Sequence, residues 1–135
     1  MNYAEISKET ISYLHKSYGS LKTSPLDQSL RALIELRVSQ LNGCEYCCGV
    51  HLEEAKKLNV LQEKLDLLST WHKAKIFTDK ERAAFDWCEC LTHLEKNLED
   101  SKKVLFVYFN EREIVDLTAC ISIMNALNRL AISLK

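Results

Sequence analysis

The chain has 135 residues, of which 47% are hydrophobic and 27% charged, with a formal net charge of −1. That length supports one domain over residues 1–135, able to bury roughly two thirds of the surface its unfolded chain would expose. The near-neutral charge argues against a nucleic-acid binder, which would want a clearly basic face. One proline, three glycines and only short β-branched runs predict an all-α chain.

In chain order, Ile6, Ile11, Leu14 and Tyr18 place apolar groups on one side of a first helix from about Tyr3 to Tyr18, closed by Gly19-Ser20. Ser24-Pro25 has the form of a helix start, with Ser24 as N-cap and Pro25 at the first helical position. Leu30, Leu33, Ile34, Val38 and Leu41 form the buried stripe of that second helix, which Asn42-Gly43 ends, because Gly accepts the left-handed conformation of a helix C-terminus. A third helix runs from about Cys44 to Leu58 and a short one from about Gln62 to Leu68, before a loop at Trp71-His72. Thr78 and Glu81 form a capping box for a helix burying Ala83, Ala84, Trp87, Cys88 and Leu91. Lys103–Phe109 is strand-like in composition but has no partner strand in view, so a short helix is expected there. Asn110 and Glu113 cap the last helix, which runs to about Ser133. Its Asn125, Asn128 and Arg129 mark it as a packed helix and not a membrane span, and predict buried polar partners or a subunit contact. The expected architecture is one compact all-α unit of about six to seven helices.

The chemistry lies in Asn42-Gly43-Cys44-Glu45-Tyr46-Cys47-Cys48-Gly49-Val50-His51. A helix starting at or just before Cys44 puts both cysteines of the C-x-x-C pair in its first turns, where unpaired N–H groups and the helix dipole favour a thiolate. Cys44, Cys47 and His51 then fall within about 60° of one another around the helix. His51 is four residues past Cys47, the neighbour position for a base that takes a thiol proton. The pattern is that of a redox thiol site. Cys48 lies near the same face, so a Cys44–Cys48 bridge is also open, with packing as its plainer role. Cys88, Cys90 and Cys120 stand in apolar helical contexts suited to small buried residues, and Trp71 and Trp87 read as core or interface anchors. Zinc is the rival chemistry for the cysteines with His51 or His93, but Cys88 and Cys90, two apart on a helix, face nearly opposite ways. Six cysteines behind an N-terminus with no signal-peptide pattern point to a reducing compartment, by default the cytoplasm.

Leu36-Arg37-Val38-Ser39-Gln40-Leu41-Asn42-Gly43-Cys44-x-x-Cys47-x-x-x-His51, then Phe77–Ala84, Trp87-x-Glu89-x-Leu91-Thr92 and Asn125-x-x-Asn128-Arg129, resemble the alkylhydroperoxidase D (AhpD)-like branch of the carboxymuconolactone decarboxylase superfamily, from about Pro25 onward. The resemblance implies an all-helical fold, a homotrimer or homohexamer, and thiol peroxidase activity without metal, flavin or other cofactor. It casts Cys47 as the peroxidatic thiolate, Cys44 as the resolving thiol and His51 as the base. Hydroperoxide is the implied substrate, and an external dithiol, thioredoxin-like or lipoyl reductant the implied partner. No membrane or nucleic-acid partner is expected. The sequence departs from the family pattern at two positions. The relay glutamate, twelve residues before the first cysteine, is replaced by Ala32, leaving Glu35, one turn on, as the nearest acid, with Glu81 and Glu89 as alternatives. Tyr46 stands where the family often has His. A dithiol oxidoreductase or redox sensor is the alternative function that the Ala32 departure keeps open; a decarboxylase-type lyase, which needs no dithiol, is the more distant one.

Overall fold

A computed structural model describes residues 1–135 and contains helices and no strands. The α-helices number eight, one more than the sequence pattern suggests: α1 (Tyr3–Ile6), α2 (Lys8–Ser20), α3 (Gln28–Leu41), α4 (Glu45–Lys57), α5 (Gln62–Leu67), α6 (Asp79–His93), α7 (Leu98–Tyr108) and α8 (Glu111–Leu134). The extra helix arises because the first expected helix breaks at Ser7, whose backbone (φ −120°, ψ 57°) is not helical.

The start of α3 also departs from expectation. Asp27, not Ser24, is its N-cap, accepting from the Leu30 amide at 3.0 Å. The Ser24 hydroxyl is engaged elsewhere, donating to Asp116 on α8 and accepting from the Leu26 amide at 3.1 Å. The α7 helix starts five residues before the expected Lys103, soon after Leu94 closes α6 in the left-handed region (φ 51°). Leu41 and Leu91, both expected in buried stripes, are only half-buried, though each packs against the core. Both capping boxes, Thr78 with Glu81 and Asn110 with Glu113, are present.

The central element is α3, which packs against α4, α8 and α6. Surrounded on three sides, it buries not only Leu30, Leu33, Ile34, Leu36 and Val38 but also Arg31, Glu35 and Ser39. A helix buried all round is ordinarily apolar all round, so these polar side chains must find partners inside the protein. The α8 helix has the length and mean hydropathy (1.4) of a membrane span. Its stripe Ile114, Leu117, Cys120, Ile121, Met124, Asn128 and Ala131 is nevertheless buried, and the helix packs on α2, α3, α6 and α7 as a core helix does.

Candidate active site

The turn between α3 and α4 is fastened from the side. Gly43 adopts the left-handed conformation (φ 66°) that favours glycine. The Asn42 side-chain amide donates to the side-chain carbonyls of both Asn125 and Asn128, each at 3.0 Å. Asn128 in turn donates to the Ser39 hydroxyl (3.2 Å), which donates to the Glu35 carbonyl (3.0 Å). The apolar helix α8 thus carries its asparagines to hold the corner from which α4 departs. Arg129 stays at the surface, bonded to Asn125.

Cys44 is the N-cap of α4, just outside the helix and not within its first turn, and the Cys47 amide points at its sulfur (3.3 Å). Cys44 and Cys47 are joined as a disulfide, with Cα atoms 5.2 Å apart. Cys48 is free and half-buried, and burial, followed by the charge of Glu45, pushes its thiol pKa up. Of the two possible bridges to Cys44, the structure contains the one to Cys47.

One helical turn beyond Cys47, His51 is 7% exposed and backs onto a buried ionic cluster. Its Nδ1 lies 3.3 Å from Glu35 Oε2 and 3.8 Å from Glu54 Oε2, but neither is aligned as a hydrogen bond, so this buried nitrogen has no hydrogen-bonding partner. Arg31, 2% exposed, binds both acids through their other oxygens: Nη1 to Glu35 Oε1, and Nη2 to Glu54 Oε1 at 3.2 Å. From α2, the Tyr18 hydroxyl lies 3.1 Å from Glu35 Oε2 and 2.8 Å from Glu54 Oε2. The Cys120 thiol approaches Glu35 Oε1 at 3.8 Å.

These contacts govern the protonation states. Burial alone would raise the Glu54 pKa, but hydrogen bonds from Tyr18 and Arg31 and the nearby positive charge hold it below its ordinary 4.5. Burial opposes the Arg31 charge, and the Glu35 carboxylate more than restores it, so the guanidinium stays protonated. Burial, then the charge on Glu35, raises the Tyr18 phenol, making it a donor at every physiological pH. Burial, then Glu35, likewise pushes the Cys120 thiol well up.

Glu35, His51 and Glu54 bring potential ligand atoms within 4.8 Å of one another. Arg31 and Tyr18 already occupy the carboxylate oxygens there, so a guanidinium supplies the positive charge that a metal would otherwise supply. The α6 cysteines do not join such a set: Cys88 is fully buried, and Cys90 sits 3.5 Å from the Asn97 carbonyl oxygen. The two alternative acids are elsewhere. Glu81 is taken by its capping box and by Lys64 at 2.8 Å. Glu89 accepts from Arg37 at 2.7 Å and from the Trp71 indole at 2.9 Å. Trp71 and Trp87 are buried, the latter donating to the Thr118 hydroxyl at 3.0 Å.

A cavity of about 190 Å³ opens beside the disulfide. Cys47 and His51 face into it while Cys44 does not, and Val50, Met124, Leu127 and Ala131 give it apolar walls. Its size compares with the ~150 Å³ cavity that holds a benzene ring. Tyr46, largely exposed, and Lys135 stand along its lining, the Lys135 ammonium lying 3.1 Å from the centre of the Tyr46 ring.

An all-helical fold that presents a bridged cysteine pair and a histidine at one helix start, backed by a buried acid from the preceding helix, defines a recognisable class of cysteine-pair protein. Residues 12–89 match the profile of the carboxymuconolactone decarboxylase family, and the chain belongs to that family, in its AhpD-like branch. Along 98% of its length it superposes on a protein of unknown function from Agrobacterium tumefaciens, provisionally assigned as the antioxidant defence protein AhpD, with a TM-score of 0.92, 30% identity and 92% of that chain covered. An uncharacterized peroxidase-related protein from Silicibacter sp. TM1040 matches with a TM-score of 0.81 at 25% identity, covering 93% of this chain and 68% of that one. Among curated sequences, the uncharacterized protein YdfG of Bacillus subtilis is 28% identical, over 99% of this chain and 92% of its own length. The uncharacterized protein YnjA of Escherichia coli is also 28% identical, over 77% of this chain, which spans 58% of that protein.

Proposed function

We propose that this chain is a thiol-dependent peroxidase that reduces organic hydroperoxides or hydrogen peroxide through a Cys44–Cys47 dithiol–disulfide cycle. The observation that carries the reading is that Cys47, bonded to Cys44, faces an apolar-walled cavity together with His51. In the reduced protein, His51 takes the Cys47 proton and the thiolate attacks the distal peroxide oxygen. The O–O bond breaks, the sulfur becomes a sulfenic acid, and the departing alkoxide leaves as the alcohol after receiving a proton from His51. The Cys44 thiol then attacks the Cys47 sulfur, water departs, and the disulfide forms. An external dithiol, on a thioredoxin-like or lipoyl protein, reopens it by exchange. Glu35 is the acid that orients His51, replacing the carboxylate that the family carries at the Ala32 position. The setting of this cycle is antioxidant defence in the cytoplasm, with the protein as a homotrimer or homohexamer.

The test is stoichiometric. The protein is reduced, freed of reductant and given one equivalent of cumene hydroperoxide, and its free thiols are counted while bridges are mapped by mass spectrometry. Rapid loss of two thiols to a Cys44–Cys47 bridge is expected. Inertness to peroxide with clean oxidation by a disulfide donor would overturn the peroxidase reading in favour of a dithiol oxidoreductase.

A further inference from the structure

The cluster behind His51 carries one negative charge more than its own cation neutralises. Two carboxylates, Glu35 and Glu54, face a single guanidinium, and Arg31 spends its two terminal nitrogens on their Oε1 atoms. Both Oε2 atoms remain, and both turn to the same two groups, the Tyr18 hydroxyl (3.1 and 2.8 Å) and His51 Nδ1 (3.3 and 3.8 Å). A phenol has one proton and cannot donate fully to two oxygens. His51 Nδ1, meanwhile, is buried without an aligned partner. Glu35 is fully buried and Glu54 only a quarter exposed, so water relieves this excess charge in part, and a positive charge on the adjoining imidazole would offset the remainder.

We propose that Tyr18 and Glu54 are positioning residues that set, in opposite directions, how strongly His51 holds a proton and so how much of Cys47 is thiolate. Glu54 supplies the second negative charge that favours imidazolium. Tyr18 opposes it, because its hydroxyl satisfies the same Oε2 atoms and makes them weaker acceptors for Nδ1. With Nδ1 turned to the acids, Nε2 is the nitrogen left for the thiol. The S–H bond of Cys47 breaks, an N–H bond forms on His51, and the site changes its charge distribution without changing its total charge. The groups around the pair are Tyr18 from α2, Arg31 and Glu35 from α3, Glu54 from α4 and Cys120, touching Glu35, from α8. His15 and Lys135 line the same cavity.

This inference rests on Cys47 being the reactive thiol, and its readout is thiol ionisation, not turnover. In the reduced full-length protein, the rate of Cys47 alkylation by iodoacetamide is followed against pH, with the modified residue located by peptide mass spectrometry. Glu54→Gln should raise the midpoint by about one pH unit, since an opposite charge at this range shifts a partner by about that much or more. Tyr18→Phe should lower it, by less. A purely structural role would reduce the melting temperature and move neither midpoint. Unchanged midpoints, or shifts of the same sign in both variants, overturn the proposal. Should Glu54→Gln not fold, Tyr18→Phe decides alone: a downward shift supports the assignment, and an unchanged or upward one overturns it. The predicted shifts in a protein that ignores peroxide would instead defeat only the peroxidase reading.

Discussion

Helix α3 carries one buried arginine, Arg31, and one partly buried, Arg37, and each builds an ionic cluster with glutamate, a histidine and an aromatic donor. At one end Arg31 meets Glu35, Glu54, His51 and the Tyr18 hydroxyl. At the other, Arg37 meets Glu89, His72 and the Trp71 indole. The second cluster is balanced: one guanidinium binds one carboxylate through Nε and Nη2, the indole N–H adds a further donor to the same oxygen, and His72 lies largely in solvent, stacked on Trp71. The first has an additional acid, a histidine buried with one nitrogen unpartnered, and a cysteine pair at the neighbouring helix start. Similar residue types therefore make one cluster whose charges cancel and another, beside the cysteine pair, whose charges do not.

The largest effect should come from the sulfur facing the cavity. Cys47→Ser should abolish peroxide turnover, whereas Cys44→Ser should consume about one equivalent of peroxide and stall at the sulfenic acid. A dimedone-trapping experiment on each variant checks this, and full turnover by Cys47→Ser would reassign the nucleophile. The contrast between the clusters comes next. Glu35→Gln should slow peroxide reduction by about 10-fold or more, within the range of a general acid–base contribution, while Glu89→Gln should leave the chemical step within about 2-fold of wild type because nothing in its cluster touches the thiols. Equal losses in the two would erase the functional distinction drawn between the clusters.

Stability should separate them as well. Arg31→Met strands two carboxylates, one of them fully buried, and should cost about 3–5 kcal/mol by urea unfolding. Arg37→Met leaves Glu89 with the Trp71 indole and partial access to water, and should cost about 1–3 kcal/mol. The reverse order would mean that the excess charge near His51 is already relieved by a proton on the acids themselves.

The contrast also explains what the sequence could and could not convey. The left-handed turn at Gly43, the caps at Thr78 and Asn110 and the close spacing of Cys44, Cys47 and His51 are local patterns, and local chemistry decides them. Ser24-Pro25 misleads because the Ser24 hydroxyl is claimed by Asp116, 92 residues later, and the break at Ser7 has no proline or glycine to announce it. Choosing among Glu35, Glu81 and Glu89 likewise needs tertiary partners: Lys64 draws Glu81 away and Arg37 draws Glu89. Two members of the cluster do have a local signal, helical spacing: Arg31 lies four residues before Glu35 and Glu54 three after His51. Nothing local marks Tyr18, which reaches the site only because α2 folds back onto the α3–α4 pair.

The smallest predicted effect is the acid dependence of the first cluster. Glu54 has its folded-state pKa below the ordinary 4.5, so it binds protons more readily in the unfolded chain than in the native one. Its contribution to stability is therefore fully present above about pH 4.5 and fades as pH falls through the depressed native value. Urea unfolding of wild type and Glu54→Gln between pH 7 and pH 3 should show a gap in favour of wild type that is constant near neutrality and narrows in acid. With a quarter of its side chain exposed, Glu54 is partly screened by solvent, so the gap should be modest. A gap that held constant through pH 3 would mean that the native site leaves the Glu54 carboxyl no more acidic than the unfolded chain does, and a gap that widened from neutrality downward would mean that Glu54 takes up its proton near neutral pH. In the latter case the excess negative charge assigned to the His51 cluster would be absent, and the two arginine clusters would differ only in their distance from the thiols.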